Sequence, residues 1–229
     1  MPFSSIQVCS HTFLPHLINS NSTVVDLGAH DGDFALAMLE QFHCRIASAE
    51  PVQELLDKIP PHPLLTVLPV AVGGKNQSIS LNLFSSRCAS VMGAVATDER
   101  AETYEVEMVT LEEFLRRAGV ERVDLLKIDI EGPEIDIFNS CNDAFLKSVA
   151  QITVEFHDFI YPEHLPAIKA ICSRMRRLGF WVIRFPLKNY ADVLFLNRTT
   201  GVGAAEVAYL RTMTRLRLGV GRVLARSRG

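Results

Sequence analysis

Acidic and glycine residues follow an apolar run early in the chain, in a pattern that suits a nucleotide-like ligand. Asp26, Gly28 and Gly32 are spaced D-x-G-x-x-x-G at the end of the apolar residues 23–27. Such a tight turn favours glycine, because glycine adopts positive φ angles and lets a ligand approach the backbone. Glu50 ends a second apolar run, where a carboxylate can accept hydrogen bonds from both ribose hydroxyls. The two features together predict an adenosine-containing cofactor.

The middle of this turn is unfavourable for a phosphate group. A dinucleotide-binding turn normally reads G-x-G-x-x-G, so that the pyrophosphate rests on the helix N-terminus. Here His30 occupies the central position, and Asp31 and Asp33 place negative charge where the phosphate would bind. The turn therefore favours S-adenosylmethionine, which carries a sulfonium cation and no phosphate. The predicted cofactor-binding residues are Asp26, Gly28, Ala29, His30, Gly32 and Glu50.

Two carboxylates end a later apolar run. Asp129 and Glu131 come directly after it, and a glycine and a proline then begin a helix, proline being favoured at the first helical position. Carboxylates at the carboxyl end of a strand in an α/β sheet lie by the ligand crevice. There they could accept a substrate proton or bind the amino group of the cofactor. The alternative for Glu131 and Glu134 is a stabilising position at a helix N-terminus.

A third group ends the next predicted strand. Period-two alternation places Glu155 and His157 on one face, and such a pair can act as a general base, with His157 the favoured base. The alternative is a surface histidine and a structural glutamate. Asp129, Glu131 and His157 could also ligate a hard or borderline cation, but their spacing does not demand one, and no metal is predicted. The remaining histidines are interpreted as surface or core residues: His11, His16, His43, His62 and His164.

Short apolar runs alternate with amphipathic stretches of helix length, which is typical of a parallel sheet covered on both faces. The predicted strands are 23–27, 45–49, 64–69, 123–128, 150–155, 180–185 and 192–197. The predicted helices are 4–18, 33–42, 51–58, 111–118, 133–139, 163–178 and part of 204–226. Only a short connection separates the last two strands, so the final strand should run antiparallel to its neighbours. The sequence thus predicts a Rossmann-like α/β fold with a seven-stranded, mostly parallel sheet.

An insertion and a tail complete the predicted organisation. Residues 76–84 and 104–109 both alternate, which predicts an antiparallel pair within an insertion spanning 76–109, and the intervening residues form a candidate lid. The main domain is expected at 1–197, followed by a basic amphipathic tail at 198–229. The tail holds seven arginines against one acid, and an apolar stripe is expected at Tyr209, Met213, Leu216, Val220 and Val223.

The tail could lie on an anionic membrane surface. It could instead dock on this protein or on a homodimer partner, or remain frayed. Composition is ordinary for a globular protein, with 48% hydrophobic and 21% charged residues. The chain shows neither a signal-peptide pattern nor an apolar run of membrane-spanning length, and its five cysteines are scattered, so a cytoplasmic location is expected. The body of the chain has no nucleic-acid footprint.

Five segments occur in a fixed order: V-V-D-L-G-A-H-D-G-D-F, A-E-P, V-T-L-E-E-F, L-L-K-I-D-I-E-G-P-E and T-V-E-F-H. In this order they resemble the FkbM family of S-adenosylmethionine-dependent methyltransferases, over roughly residues 20–197, and K-I-D-I-E-G-x-E is the most specific segment. The resemblance implies a class I methyltransferase fold and O-methylation of hydroxyls on sugars, glycans or polyketide-type small molecules. Two departures are His30, where the family usually has asparagine, and the segment Val72-Gly73-Gly74, where a polar residue is usual.

The resemblance also implies roles for individual residues. Its cofactor residues are Asp26, Gly28, Gly32 and Glu50, to which Pro51, Val72 and Asp129 are added as cofactor-binding candidates. Its active-site residues are Asp129 and Glu131, so the full catalytic prediction is His157, Asp129, Glu131 and Glu155. The expected partner is a small-molecule or glycan acceptor. Two rival functions are a nicotinamide-dependent oxidoreductase, which would need a turn that accepts phosphate, and an inactive cofactor-binding module.

Overall fold

The computed structural model describes residues 4–83, 89–90, 102–186 and 188–212. The strands are β1 (Ile6–Val8), β2 (His11–Phe13), β3 (Thr23–Leu27), β4 (Arg45–Ala49), β5 (Leu65–Leu68), β6 (Ala71–Gly73), β7 (Gln77–Leu83), β8 (Ala89–Ser90), β9 (Glu102–Thr110), β10 (Leu125–Ile128), β11 (Gln151–Val154), β12 (Phe180–Arg184) and β13 (Val193–Asn197). The α-helices are α1 (Asp33–Phe42), α2 (Gln53–Leu56), α3 (Leu111–Ala118), α4 (Glu134–Ser140), α5 (Asp143–Ser148), α6 (Leu165–Arg177) and α7 (204–212). Short 3-10 helices are Pro15–Leu17, Pro162–His164 and Arg198–Thr200.

The main sheet has seven strands in the order β12-β13-β11-β10-β3-β4-β5. Strands β11, β10, β3, β4 and β5 pair in parallel, whereas β13 is antiparallel to both β11 and β12. The predicted seven-stranded sheet with an antiparallel final strand is therefore confirmed. Because the parallel strands all end at one edge, the residues that follow β3, β4, β10 and β11 are brought together there.

Side chains on both faces of the main sheet are buried. In β3, Val25 and Leu27 belong to a core cluster that includes Phe114 of α3 and Phe138 of α4. The intervening Val24 packs in a second cluster, with side chains of α1. Side chains of successive strand residues point to opposite faces, so helices cover both sides, as the sequence predicts.

A smaller sheet of four strands, in the order β6-β9-β7-β8, contains the predicted insertion. Strands β7 and β9 pair antiparallel from Gln77↔Met108 to Leu83↔Glu102, which confirms the predicted pair. Strand β6 joins β9 in parallel. Most of the candidate lid, namely residues 85–88 and 91–101, lies outside the described residues.

The predicted helix at residues 4–18 is wrong. Strands β1 and β2 form an antiparallel hairpin, and its turn residues Cys9 and Ser10 both have positive φ, at 44° and 67°. The following Pro15 begins a 3-10 helix. The apolar spacing at 4–18 suggested a helix, but isolated helical propensity is weak and tertiary contacts override it here.

Two buried polar side chains fasten this hairpin to the main sheet. Asp192 accepts hydrogen bonds from the Thr12 amide at 3.1 Å, the Thr12 hydroxyl and the Gln7 amide group at 3.1 Å. Gln151 of β11 accepts from the Leu14 amide at 2.8 Å and donates to the Leu14 carbonyl at 3.2 Å. These contacts satisfy buried polar groups that would otherwise destabilise the fold, and they fix β2 beside β11.

Residues that follow β13 also pack on the sheet. One buried cluster combines three of their apolar side chains with strand residues: Val202, Val207 and Leu210 with Ile183, Leu194 and Leu196. Arg211 donates a hydrogen bond to the Val182 carbonyl at 2.8 Å. Of the predicted apolar stripe only Tyr209 is described, and it is exposed; Met213, Leu216, Val220 and Val223 lie outside the described residues. The boundary at 197 and the membrane contact stay predictions. Among the helices described, none is long and apolar enough to cross a bilayer.

We expect Asp192→Ala to loosen the N-terminal hairpin. The change removes the acceptor of three hydrogen bonds, and hydrogen bonds to a charged group contribute about 1.5–3 kcal/mol, so the free energy of unfolding should fall by about 2–3 kcal/mol. Denaturant unfolding followed by fluorescence of Trp181 measures this. The control is Asp143→Ala, which removes an exposed carboxylate paired with Arg174 and should cost less than about 1 kcal/mol. Equal losses in the two variants would contradict the anchoring role.

Candidate active site

A row of polar side chains crosses the middle of the main sheet. The register aligns Lys127 of β10 with Asp26 of β3 on one side and Thr153 of β11 on the other. Lys127 Nζ lies 3.0 Å from Asp26 Oδ1, and both side chains are almost fully buried. Lys127 Nζ also donates to the Gly28 carbonyl at 2.6 Å, so one cation joins the centre of the sheet to the turn after β3.

Lys127 is charged in this setting. Burial alone would lower its pKa, but the carboxylates of Asp26 and Asp129 raise the pKa above its ordinary value. A buried ion pair of this kind holds its partners in one geometry, and removal of either partner leaves an uncompensated charge.

At the predicted glycine turn, the backbone after β3 lies very close to the backbone after β10. Gly28 has φ of 80°, and a Cβ at this position would lie 1.8 Å from the Asp129 carbonyl oxygen, so no side chain fits. The amides of Gly28 and Ala29 both donate to the Ala49 carbonyl at 3.0 Å. Gly32, with φ of 88°, then precedes the first turn of α1. The turn is thus held against β4 and the end of β10.

Glu50 is fixed at the rim of a cavity beside this turn. Its Oε2 accepts from the His30 amide and its Oε1 from the Val52 amide, both at 2.9 Å. The side chain is almost completely buried, and burial raises the pKa of Glu50. Each carboxylate oxygen has further lone pairs after accepting one amide, so Glu50 can accept more hydrogen bonds from a ligand.

The cavity brings together most of the predicted cofactor residues. Its wall consists of Gly28, His30, Ala49, Glu50, Pro51, Leu55, Val70, Ala71, Val72, Leu81, Asp129, Ile130, Glu131 and Pro133. Of the predicted set, Asp26, Ala29 and Gly32 do not lie on this wall. Asp26 is instead buried beneath the turn with Lys127, and the other two shape the turn itself. At the start of α1, a hydrogen bond from His30 holds the pKa of Asp31 below its ordinary value, so negative charge is maintained there.

Asp129 lies close to three side chains that carry nitrogen groups. Its Oδ2 lies 3.2 Å from His11 Nε2 and 3.8 Å from Lys127 Nζ, and its Oδ1 lies 3.9 Å from His157 Nε2. Burial would raise the pKa of Asp129, but Lys127, His11 and His157 together hold it well below its usual range. Asp129 is therefore an ionised carboxylate surrounded by nitrogen groups.

His157 is enclosed by carboxylates on both sides. Its Nδ1 lies 2.8 Å from Glu134 Oε1, and its Nε2 lies 3.2 Å from Glu131 Oε2. Burial would lower the pKa of His157, but Glu134, Glu131 and Asp129 raise it to about 9. With a carboxylate at each nitrogen the imidazole serves as a donor on both sides, which is unfavourable for the role of base expected from the sequence.

Glu131 and Glu155 complete the cluster. Glu131 has a positive φ of 56°, which is strained for a residue with a side chain, and it presents its carboxylate to His157. Glu155 follows β11, and its carboxylate lies within 4.8 Å of the ligand atoms of both His11 and Asp129. Burial and the neighbouring Asp129 raise the pKa of Glu155 to about 7. The four predicted catalytic residues therefore converge.

Sequence reasoning missed His11 and Lys127 and left Glu134 open between this site and a stabilising helix N-terminus. His11 was interpreted as a surface or core residue, but the N-terminal hairpin carries it, fully buried, to Asp129 and to Thr153 Oγ1 at 3.4 Å. Glu134 is fully buried and also accepts from the Gly132 amide at 2.9 Å. Lys127 lies within the predicted strand 123–128 and has no predicted role. Two signals were available: its charge within an apolar run, since buried lysines are rare unless paired, and its position as the first residue of the K-I-D-I-E-G-x-E segment.

Comparison with known proteins places this chain in a family. Residues 26–182 match a family model described as "Methyltransferase FkbM domain". The AMB antimetabolite synthetase AmbE of Pseudomonas aeruginosa is 36% identical over 83 residues, which are 36% of this chain and 4% of that protein, so the chain spans a small part of this relative's length. Human methyltransferase-like protein 13, solved in complex with SAH, aligns over 86% of each chain with 11% identity and a TM-score of 0.47. An rRNA methylase from Streptococcus thermophilus aligns over 79% of this chain and 87% of its own, with 10% identity and a TM-score of 0.43.

We expect Lys127→Met to destabilise the protein by about 3–5 kcal/mol, because it leaves the Asp26 carboxylate buried without a cation. The double variant Lys127→Met with Asp26→Asn should recover part of this loss, since it removes the stranded charge as well. Denaturant unfolding of both variants measures the coupling. Lys58→Met, on an exposed lysine, is the control and should change little. A single variant that costs less than about 1 kcal/mol would contradict the importance of the pair.

Proposed function

Because the chain belongs to the FkbM methyltransferase family, we propose that it moves a methyl group from S-adenosylmethionine to a hydroxyl oxygen of a small molecule. One observation supports this proposal most. Asp129 and Glu131 line the cavity that Glu50 borders, and the same two carboxylates contact His157. A cofactor held in the cavity and an acceptor placed at the cluster would therefore meet at these two residues, and proximity and orientation are what a methyl transfer chiefly needs.

The cavity residues fit the chemistry of the cofactor. Glu50 offers carboxylate lone pairs for the ribose hydroxyls, and apolar residues such as Val72 and Leu81 suit the adenine ring. The ionised Asp129, with the side chain of Glu131 beside it on the cavity wall, suits a cationic amino group or sulfonium. The negative charge of Asp31 at the start of α1 disfavours the pyrophosphate of a nicotinamide cofactor. These features favour methyl transfer over the oxidoreductase alternative.

S-adenosylmethionine supplies an electrophilic methyl group on a sulfonium. The acceptor oxygen forms a bond to this methyl carbon while the carbon–sulfur bond breaks, its electron pair passing to sulfur, and the hydroxyl proton leaves to a base. We assign the base to Glu155, because within the described part of the chain its carboxylate makes no hydrogen bond, whereas both nitrogens of His157 have carboxylate partners. His157 and Asp129 then position the acceptor hydroxyl, and His11 holds Asp129 in place.

The acceptor class is inferred from chemistry and from one relative. Carboxylates that accept hydrogen bonds suit hydroxyl-rich acceptors, such as a sugar, a glycan or a polyketide-like molecule. The curated relative is named as a synthetase of an antimetabolite, which favours a small natural product over a macromolecule. Nucleic acid is not an expected partner, and a homodimer and a tail–membrane contact remain predictions.

Glu50→Ala should weaken the binding of S-adenosylmethionine by about tenfold to a hundredfold, which corresponds to the roughly 1–3 kcal/mol expected for lost hydrogen bonds to a charged group. Isothermal titration calorimetry of wild type and variant measures the change. Glu40→Ala removes an exposed carboxylate at the end of α1 and should leave affinity unaltered. Equal affinity in wild type and Glu50→Ala would refute the assignment of Glu50 to the ribose.

The activity itself is tested by incubating the protein with S-adenosylmethionine labelled in its methyl group and a panel of sugars, glycans and polyketide-type alcohols. We expect a labelled methyl ether. Glu155→Gln should lower turnover by about 10²–10⁴-fold, the usual contribution of a general base, without weakening cofactor binding, and Glu121→Gln, an exposed control, should be normal. Cofactor binding without transfer to any acceptor class would favour the inactive module instead, and normal turnover of Glu155→Gln would place the base elsewhere.

A further inference from the structure

We propose that Asp129, Glu131 and His157 form a site for one divalent cation of borderline hardness, such as Mn²⁺. The spacing of these residues in the sequence does not demand a metal, but the fold brings one ligand atom from each to within 4.8 Å of the others. The site is inferred from the positions of these residues and does not depend on the proposed function. Its part in the reaction rests on the proposed function.

The distances between ligand atoms suit a small cation. Atoms that each lie about 2.1 Å from an ion are separated from their neighbours by roughly 3.0–3.4 Å. His157 Nε2 and Glu131 Oε2 are 3.2 Å apart, and His157 Nε2 and Asp129 Oδ1 are 3.9 Å apart. A shift of less than one ångström by the partly exposed Asp129 carboxylate would bring its distance from His157 Nε2 into this range, and its ligand atom lies within 4.8 Å of that of Glu131.

The imidazole of His157 is already oriented as a metal ligand would be. Its Nδ1 lies 2.8 Å from Glu134, a carboxylate that is fully buried and outside the ligand set. Metal-binding histidines commonly donate the second ring N–H to a carboxylate, which fixes the tautomer and aims the other nitrogen at the ion. His157 Nε2 faces Asp129 and Glu131 in this way, and a cation would take the place of the Nε2 proton.

The surrounding charges favour a cation on the Oδ1 side of Asp129 over one on the Oδ2 side. A second group, His11, Asp129 and Glu155, also has ligand atoms within 4.8 Å of one another. In this group His11 Nε2 lies 3.2 Å from Asp129 Oδ2, and Lys127 Nζ lies 3.8 Å from the same oxygen, so a metal there would meet an ammonium charge. On the Oδ1 side, His157 is surrounded by Asp129, Glu131 and Glu134, and that excess of carboxylate favours a dication.

The donor set indicates the class of metal and its role. Carboxylates suit Mg²⁺ and Mn²⁺, and imidazole suits Zn²⁺ and Fe²⁺, so one imidazole with two carboxylates favours an intermediate ion. Three protein ligands leave positions open for water and for an acceptor hydroxyl. A hydroxyl bound to the cation would lose its proton more readily, and Glu155, beside Asp129, would receive that proton.

The site is tested by titrating Mn²⁺ into the full chain after chelator treatment and gel filtration, with free Mn²⁺ measured by electron paramagnetic resonance. We expect one Mn²⁺ per chain. Glu131→Gln should weaken binding at least about tenfold, because it removes a charged ligand from a half-exposed position without emptying the core. Glu121→Gln, which changes an exposed glutamate outside the cluster, should bind as wild type does. Thermal unfolding of each variant shows that it is folded.

Three outcomes decide the proposal. Stoichiometric binding that Glu131→Gln loses and Glu121→Gln keeps supports the site. Absence of saturable binding of Mn²⁺, Mg²⁺ and Zn²⁺ to folded wild type, or unchanged Mn²⁺ affinity in Glu131→Gln, overturns it. Methyl transfer that is undiminished after chelation overturns the role in the reaction. Because Mn²⁺ binding is measured without acceptor or cofactor, a protein that binds Mn²⁺ but fails to methylate any acceptor would count against the proposed function and not against the site.

Discussion

The ammonium group of Lys127 joins the residues that follow β3 and β10 at one edge of the main sheet. It lies in the centre of the sheet, 3.0 Å from the Asp26 carboxylate and 2.6 Å from the Gly28 carbonyl, and it also faces Asp129. One positive charge thereby contacts three parts of the chain: strand β3, the glycine turn after it, and the carboxylate that follows β10. Electrostatic interactions are strong in a buried setting, since little water screens them. The relative positions of the turn and of Asp129 depend on this contact.

Asp129 links two parts of the molecule that have different chemistry. It lies on the wall of the cavity bordered by Glu50, and it also receives His11, Lys127 and His157. The backbone contributes to the same junction, because the absence of a side chain at Gly28 lets the turn approach the Asp129 carbonyl. A ligand in the cavity and a group bound at the cluster would therefore respond to the same carboxylate, which is the basis of the proposed methyl transfer.

The N-terminal hairpin is a structural part of the candidate active site. Asp192 and Gln151 bind its backbone, and it carries His11 to Asp129 over a sequence separation of 118 residues. Unsatisfied buried polar groups are costly, so these anchors determine where β2 lies. The hairpin thus connects the residues around β11 and β13 with the geometry of the cluster around Asp129.

Elements with local signals can be predicted from the amino-acid sequence. Alternating apolar runs predicted the seven strands, the short connection before β13 predicted its antiparallel direction, and the D-x-G-x-x-x-G spacing with Glu50 predicted the cavity rim. The family resemblance rested on the same contiguous segments. Contacts between distant segments became visible only in the folded chain. They include the hairpin in place of a helix at 4–18 and the contact of His11 with Asp129. They also include the pairing of Lys127 with Asp26 and the position of His157 between Glu131 and Glu134. The physical reason is that propensity and periodicity act over a few residues, whereas burial, charge pairing and tautomer choice depend on which strands the sheet places side by side.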